Sequence, residues 1–321
     1  MIYSGTYAQE MTGRVEPALR EILKQEQVNV RGGQLSVSCY IPRDAESVML
    51  LLHGTSESAE KYHEMIWMFN QMGIGIVAPD MRGHGKSLRM TGDPCLVYVD
   101  RFEDYVDDAE TVLGLVQRVA GDRPLQLFGH SLGGAVAAAL MIRLPDTFTH
   151  VILSSPMVDP STGGLPRWAG KGICTLNCLL GRGKKMAFVS GPYNAETDVF
   201  ENSCDTGRER FEYYKGKRVA DRDYQTSPLT YRWIRESFGV RDKLLKAWPA
   251  EQVKSNVLLC QAGRDTLVSL PEQEKFIRRI KNGRLVCFES AKHEIYFSDD
   301  ETVERYLKEI ENFIRQEAPN S

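Results

Sequence analysis

Seven short apolar or β-branched runs recur along the 321-residue chain with helical stretches between them, and this alternation limits the fold more than any other feature. The runs are Leu35–Ile41, Ser47–Leu52, Gly75–Ala78, Leu125–Phe128, His150–Leu153, Asn256–Gln261 and Arg284–Phe288. Several are almost wholly apolar, as strands covered on both faces should be. The pattern therefore predicts an α/β fold, a mostly parallel central sheet with helices on either side. Helices are read at Arg101–Val119, Leu132–Arg143 and Thr302–Arg315; in the last, Val303, Tyr306, Ile310 and Phe313 form one stripe.

The alternation breaks once. Between Ser155 and Asn256 lie roughly 100 residues with helical patches, glycines and prolines but no convincing strand, too many for a structureless loop. We expect one α/β core from residues 1–156 and 249–321, with a helical cap, residues 157–248, inserted at the strand ends.

Other classes are excluded by composition. With 40 basic and 43 acidic residues the net charge is −3, which argues against a protein built to grip nucleic acid. The longest clean apolar run, Ala135–Ile142, is far short of a membrane span. The first residues lack the basic segment and apolar core of a secretory signal. Seven scattered cysteines suggest reduced thiols, so a cytoplasmic location is expected. Cys174 and Cys178 lack a nearby Cys/His pair and are read as packing residues rather than metal ligands.

Gly129-His130-Ser131-Leu132-Gly133 follows the run Leu125–Phe128 and opens an alanine-rich helix, the strand–turn–helix setting of a G-x-S-x-G nucleophile turn. A serine hydroxyl needs a base, and the base an orienting acid, here in the chain order Ser, Asp or Glu, His. Among the six histidines only His293 lies beyond the insertion, on the loop before the last helix. Asp265, just after Asn256–Gln261, is the acid; Asp159 is the alternative, though its Asp-Pro setting suits a turn. The oxyanion formed on attack needs two backbone N–H groups, assigned to Leu132 and to Thr55 in the loop after Ser47–Leu52. His53 and His84 are read as shaping loops.

His53-Gly54, Asp80-x-Arg82-Gly83-His84-Gly85-x-Ser87, Gly129-His130-Ser131-x-Gly133-Gly134, Gly263-x-Asp265 and His293-Glu294 together resemble the α/β-hydrolase superfamily. Glu60-Lys61-Tyr62, the stretch Arg101 to Asp108, Ser155-Pro156-Met157 and Tyr231 to Glu236 narrow the likeness to the bacterial lysophospholipase and monoacylglycerol lipase group, nearest the lysophospholipases. It runs from Leu35 to Phe313. The resemblance implies an α/β-hydrolase fold with a helical cap and a serine hydrolase of lipid esters, with Ser131 as nucleophile, Asp265 as acid and His293 as base. No metal or cofactor is expected. The other readings are a general short-chain carboxylesterase and a non-catalytic ligand-binding protein of the same fold.

The insertion sharpens the lipid reading. Pro160–Ala195 contains Arg167, Lys171, Arg182, Lys184 and Lys185 and no acidic residue, interleaved with Leu165, Trp168, Ile173, Leu176, Leu179 and Leu180. Pro156–Leu245 carries +4 and the remainder −7, so the near-neutral total hides a basic cap on an acidic core. Such a cap suits peripheral contact with an anionic membrane, and equally suits a helix that buries its stripe on the core. Trp168, Trp233 and Arg235 are candidate substrate-binding residues.

Overall fold

A computed structural model describes residues 1–315. The chain builds eight strands, β1 (Leu23–Val30), β2 (Gly33–Tyr40), β3 (Ser47–Leu52), β4 (Ile74–Pro79), β5 (Leu125–His130), β6 (His150–Ser154), β7 (Asn256–Ala262) and β8 (Gly283–Phe288). They form one sheet in the order β1-β2-β4-β3-β5-β6-β7-β8. From β4 to β8 all neighbours are parallel, and β1 and β2 add an antiparallel hairpin at one edge.

The helices are α1 (Tyr7–Glu10), α2 (Glu16–Ile22), α3 (His63–Gln71), α4 (Glu103–Ala120), α5 (Leu132–Arg143), α6 (Arg167–Leu179), α7 (Arg208–Ala220), α8 (Tyr231–Asp242), α9 (Leu270–Ile277) and α10 (Asp300–Arg315). Alternate residues of each parallel strand feed opposite layers. Val48, Leu50 and Leu52 of β3 belong to the apolar layer that holds α4, α5 and α9, whereas Met49 and Leu51 belong to the opposite layer, with α3, α10 and the N-terminal helices. That two-residue period, with both faces covered, is why β3 reads as unbroken apolar sequence.

β1 lay outside the expected strands. Its Lys24-Gln25-Glu26-Gln27 stretch is solvent-exposed, so it carries no apolar signature; eight paired residues against β2 hold it instead.

Between β6 and β7 the chain forms α6, α7, α8 and short turns. This insertion is fastened at its edges. Val97 bridges Leu229 and Pro160 bridges Val268, while Arg89 donates to the Gly83 and Asp223 carbonyls. It therefore sits over the C-terminal ends of β3, β5, β7 and β8, where loops meet in an open α/β sheet.

Candidate active site

Ser131 stands between β5 and α5 with φ +51° and ψ −114°, a conformation that a residue with a Cβ rarely adopts. The turn is held by its surroundings. The Ser131 N–H donates to the Ser154 carbonyl at 3.1 Å, and its own carbonyl accepts from Ala135 and Met157. A side chain at Gly133 would collide with the Leu52 carbonyl, and one at Gly129 with Gly133 itself, which accounts for both glycines.

Asp265 follows β7, and its buried carboxylate is pinned from two sides. Oδ1 accepts the N–H groups of Leu267 (2.8 Å) and Val268 (3.2 Å), leaving Oδ2 to His293 Nδ1 at 2.6 Å. His293 follows β8 and is largely buried. With Nδ1 committed to Asp265, Nε2 is the ring atom free to serve a hydroxyl. Ser131 and His293 line the same cavity.

Thr55 lines that cavity too, and Leu132 opens α5, where a helix N–H has no carbonyl four residues behind it. His53 and His84 lie outside the base position. His53 Nε2 accepts the Met81 N–H at 2.9 Å, so its proton sits on Nδ1 and is donated to the Gly54 carbonyl at 2.7 Å. His84 Nδ1 contacts the Arg82 carbonyl. Asp159 pairs with Arg167 and, at 3.4 Å, with Arg241, which makes it a fastening of the insertion.

The cavity encloses about 660 Å³. Thr55, Ser56, Glu57, His130 and Glu294 make its polar end; Met157, Ile173, Leu229, Trp233, Phe238 and Val268 make an apolar wall. Trp233 thus borders the cavity. Trp168 does not: the residue is 79% exposed and is not among those that line the cavity. Arg235 also lies off the wall, and its guanidinium pairs with the neighbouring Glu236 at 2.9 Å. Sequence reasoning placed both in the pocket, since spacing along a helix does not say which side faces inward.

The polar end holds a charged network that the sequence analysis missed. Lys61 Nζ lies 3.2 Å from Glu57 and 2.5 Å from Glu294, the residue after His293. Burial lowers the Lys61 pKa in isolation, but Glu294 and Glu57 raise it overall, so it stays charged. His130 Nδ1 faces the Ser154 carbonyl at 3.2 Å, and burial pushes the ring down to about 4, so it is neutral at neutral pH. One local signal was available. Gly54-x-x-Glu57 has the spacing by which a Glu side chain reaches back to an N–H three residues earlier.

Among the described residues, Glu16/Glu60/His63 and Glu57/His130/Glu294 are close enough to share a cation. A lysine already lies between the carboxylates of each: Lys217 in the first, Lys61 in the second.

A mostly parallel sheet with a serine on a strained strand–helix turn and an insertion over the strand ends defines an α/β-hydrolase. More narrowly, the chain belongs to the family described as serine aminopeptidase, S33, which it matches over residues 43–300. It is 25% identical over 272 residues to a probable lysophospholipase L2 of Haemophilus influenzae, spanning 83% of each chain. Against lysophospholipase L2 of Escherichia coli it is 26% identical over 277 residues, 79% of this chain and 76% of that one. Its fold is similar to that of a soluble variant of monoglyceride lipase from Saccharomyces cerevisiae, with TM-score 0.73 and 15% identity over 93% of this chain and 97% of that one.

Proposed function

We propose that the chain hydrolyses the carboxylic ester of a monoacyl lipid, a lysophospholipid or a monoacylglycerol, through an acyl-enzyme on Ser131. The observation that carries this reading is the convergence of Ser131 and the Asp265–His293 pair on one cavity with an apolar wall. The lysophospholipase relatives, matched over most of both chains, support the lipid class.

His293 Nε2 takes the Ser131 proton as Oγ attacks the ester carbon, and Asp265 stabilises the imidazolium that forms. The carbonyl oxygen becomes an anion received by the Thr55 and Leu132 N–H groups; one such donor lowers the barrier by about 3 kcal/mol. The tetrahedral adduct expels the alcohol, which leaves with the proton from His293. Water then attacks the acyl-enzyme by the same route, releasing the fatty acid and restoring Ser131.

A fluorophosphonate probe should label the intact protein and not Ser131→Ala. No labelling of the intact protein would leave a non-catalytic ligand-binding protein as the better reading. Rates on lysophospholipids, monoacylglycerols and esters of graded chain length then decide the substrate. Activity confined to acetyl and butyryl esters would instead identify a general short-chain carboxylesterase.

We also propose that residues 157–248 act as a cap whose outer face meets an anionic membrane. Supporting this, Trp168, Leu176, Leu179 and Leu180 are exposed on or just after α6, beside exposed Lys171, Arg182 and Lys185. Leu165, Phe188 and Val189 are exposed yet also line the cavity, so the same surface forms the cavity mouth. Among the described residues no helix is long and apolar enough to cross a membrane.

A further inference from the structure

The polar end of the cavity contains a buried carboxylate that takes no part in the proton transfers above. Glu57 Oε2 accepts the Gly54 N–H at 2.6 Å and the Tyr62 hydroxyl at 2.6 Å. Its Oε1 accepts the Tyr296 hydroxyl at 2.8 Å and Lys61 Nζ at 3.2 Å. Burial on its own would raise this carboxyl, but charged Lys61 and the two phenols hold it below the ordinary range, so it is an anion. Four donors on one buried carboxylate leave it little freedom to move.

What it holds is the loop that carries Thr55. Gly54 is gripped at both of its backbone polar groups: Glu57 takes the N–H, and His53 Nδ1–H donates to the carbonyl at 2.7 Å. That carbonyl belongs to the peptide group whose nitrogen is Thr55 N. In a trans peptide the C=O and N–H point in opposite directions, so fixing Gly54 aims the Thr55 N–H. The next residue, Ser56, has φ +63°, a strained value that persists only where neighbouring contacts enforce it. The carboxylate also lies against the Gly54 Cα, with Oε2 2.8 Å from where a Cβ would stand.

We propose that Glu57 is a positioning residue for the oxyanion site, holding Gly54 so that the Thr55 N–H meets the charge that develops on the substrate oxygen. This rests on Ser131 being the nucleophile. Because the charge exists only after attack, the contribution of Glu57 falls on kcat and on tetrahedral mimics, and not on KM.

The test compares wild type, Glu57→Ala and Glu57→Gln on a monoacylglycerol, with kcat expressed per active site counted by fluorophosphonate titration. Affinity for a trifluoromethyl ketone, whose adduct with a serine carries an anionic oxygen, is measured alongside. Glu57→Ala should lower kcat about 100-fold and weaken the ketone in parallel, with KM within about 3-fold. Glu57→Gln keeps one carbonyl oxygen for the Gly54 N–H and should fall only about 10-fold. A purely structural role would reduce Tm and the number of active sites, with kcat per site and ketone affinity as in the wild type. That result overturns the inference.

If Glu57→Ala does not accumulate as folded protein, Glu57→Asp replaces it. It keeps the charge beside Lys61 but withdraws the oxygens from Gly54 by one methylene. A kcat loss at constant KM supports the inference, and wild-type kcat overturns it. Turnover that survives in Ser131→Ala would remove the nucleophile assignment and this inference with it, whereas an unaffected Glu57 series removes the inference alone.

Discussion

His293 Nδ1 lies 2.6 Å from Asp265 Oδ2, while the other oxygen of that carboxylate is already taken by the N–H groups of Leu267 and Val268. The division of labour dictates what an amide would do there. In Asp265→Asn the two backbone donors hold the amide oxygen, so the NH2 group must face His293. The ring then has to accept at Nδ1 and carry its proton on Nε2, the wrong tautomer for a base toward Ser131. We expect kcat to fall by about 10⁴-fold with little change in stability, read by steady-state kinetics and thermal melts. A loss below about tenfold would show that another residue orients the base.

His130, the neighbour of Ser131, makes a separate prediction about pH. Burial sets its ring at about 4, with His293 adding to that effect and Glu57 opposing it. The unfolded chain protonates this ring below about 6.5, the folded chain only below about 4. Between those values the unfolded state binds the extra proton, so stability drops as pH falls through this window, by about 3 kcal/mol in total. His130→Asn keeps a donor for the Ser154 carbonyl but cannot titrate. Denaturant unfolding at pH 7 and pH 4 should show a correspondingly smaller loss in the variant, and equal losses would contradict the assignment.

Legibility in the sequence followed what each feature depends on. β3 and β7 could be read because a parallel strand buried on both faces carries its signature in its own residues. β1 could not, since an exposed edge strand is specified by its hairpin partner. Ser131, Asp265 and His293 each stand just past a recognisable strand and in the expected order, but Asp159 meets both conditions too and is set aside only for its Asp-Pro setting; the fold brings Asp265 and His293 into contact. The network around Glu57 shows locally only in the Gly54-x-x-Glu57 spacing; Lys61 and Tyr62 follow nearby, but the Tyr296 hydroxyl comes from 239 residues away, and no sequence pattern connects it to Glu57. Trp168 and Arg235 show the converse limit. Their residue types suited a pocket, but the side of the helix is decided by how the helix docks.

Arg210 should be a stability determinant. Its fully buried guanidinium forks onto Glu64 at 2.9 and 3.0 Å, reaches Asp300 at 2.9 Å and donates to the Ile2 and Ser298 carbonyls. It thereby ties α7 of the insertion to α3, α10 and the N-terminal segment. Arg210→Met leaves Glu64 buried without its partner, and burial already raises that carboxyl despite the arginine. We expect a loss of about 3–5 kcal/mol at pH 7 by denaturant unfolding, becoming smaller as pH falls and Glu64 takes up a proton. Adding Glu64→Leu should recover most of it, and failure to recover would place the cost in packing instead.

The exposed face of α6 leads to the last prediction. Trp168 is 79% and Leu179 78% exposed, and Lys171, Arg182 and Lys185 add positive charge beside them. Burying a large apolar side chain contributes about 1.5–3 kcal/mol, so these two can supply most of a reversible attachment. Trp168→Asp with Leu179→Asp should weaken binding to phosphatidylglycerol-containing vesicles by about 100-fold or more in sedimentation assays. Wild-type binding should fall as salt screens the basic side chains, while neutral phosphatidylcholine vesicles bind less at every salt concentration. Neither side chain lines the cavity, so turnover of a water-soluble ester should be retained in the double variant, separating attachment from chemistry. Equal vesicle binding by the variant and the wild type would take this face out of the membrane contact.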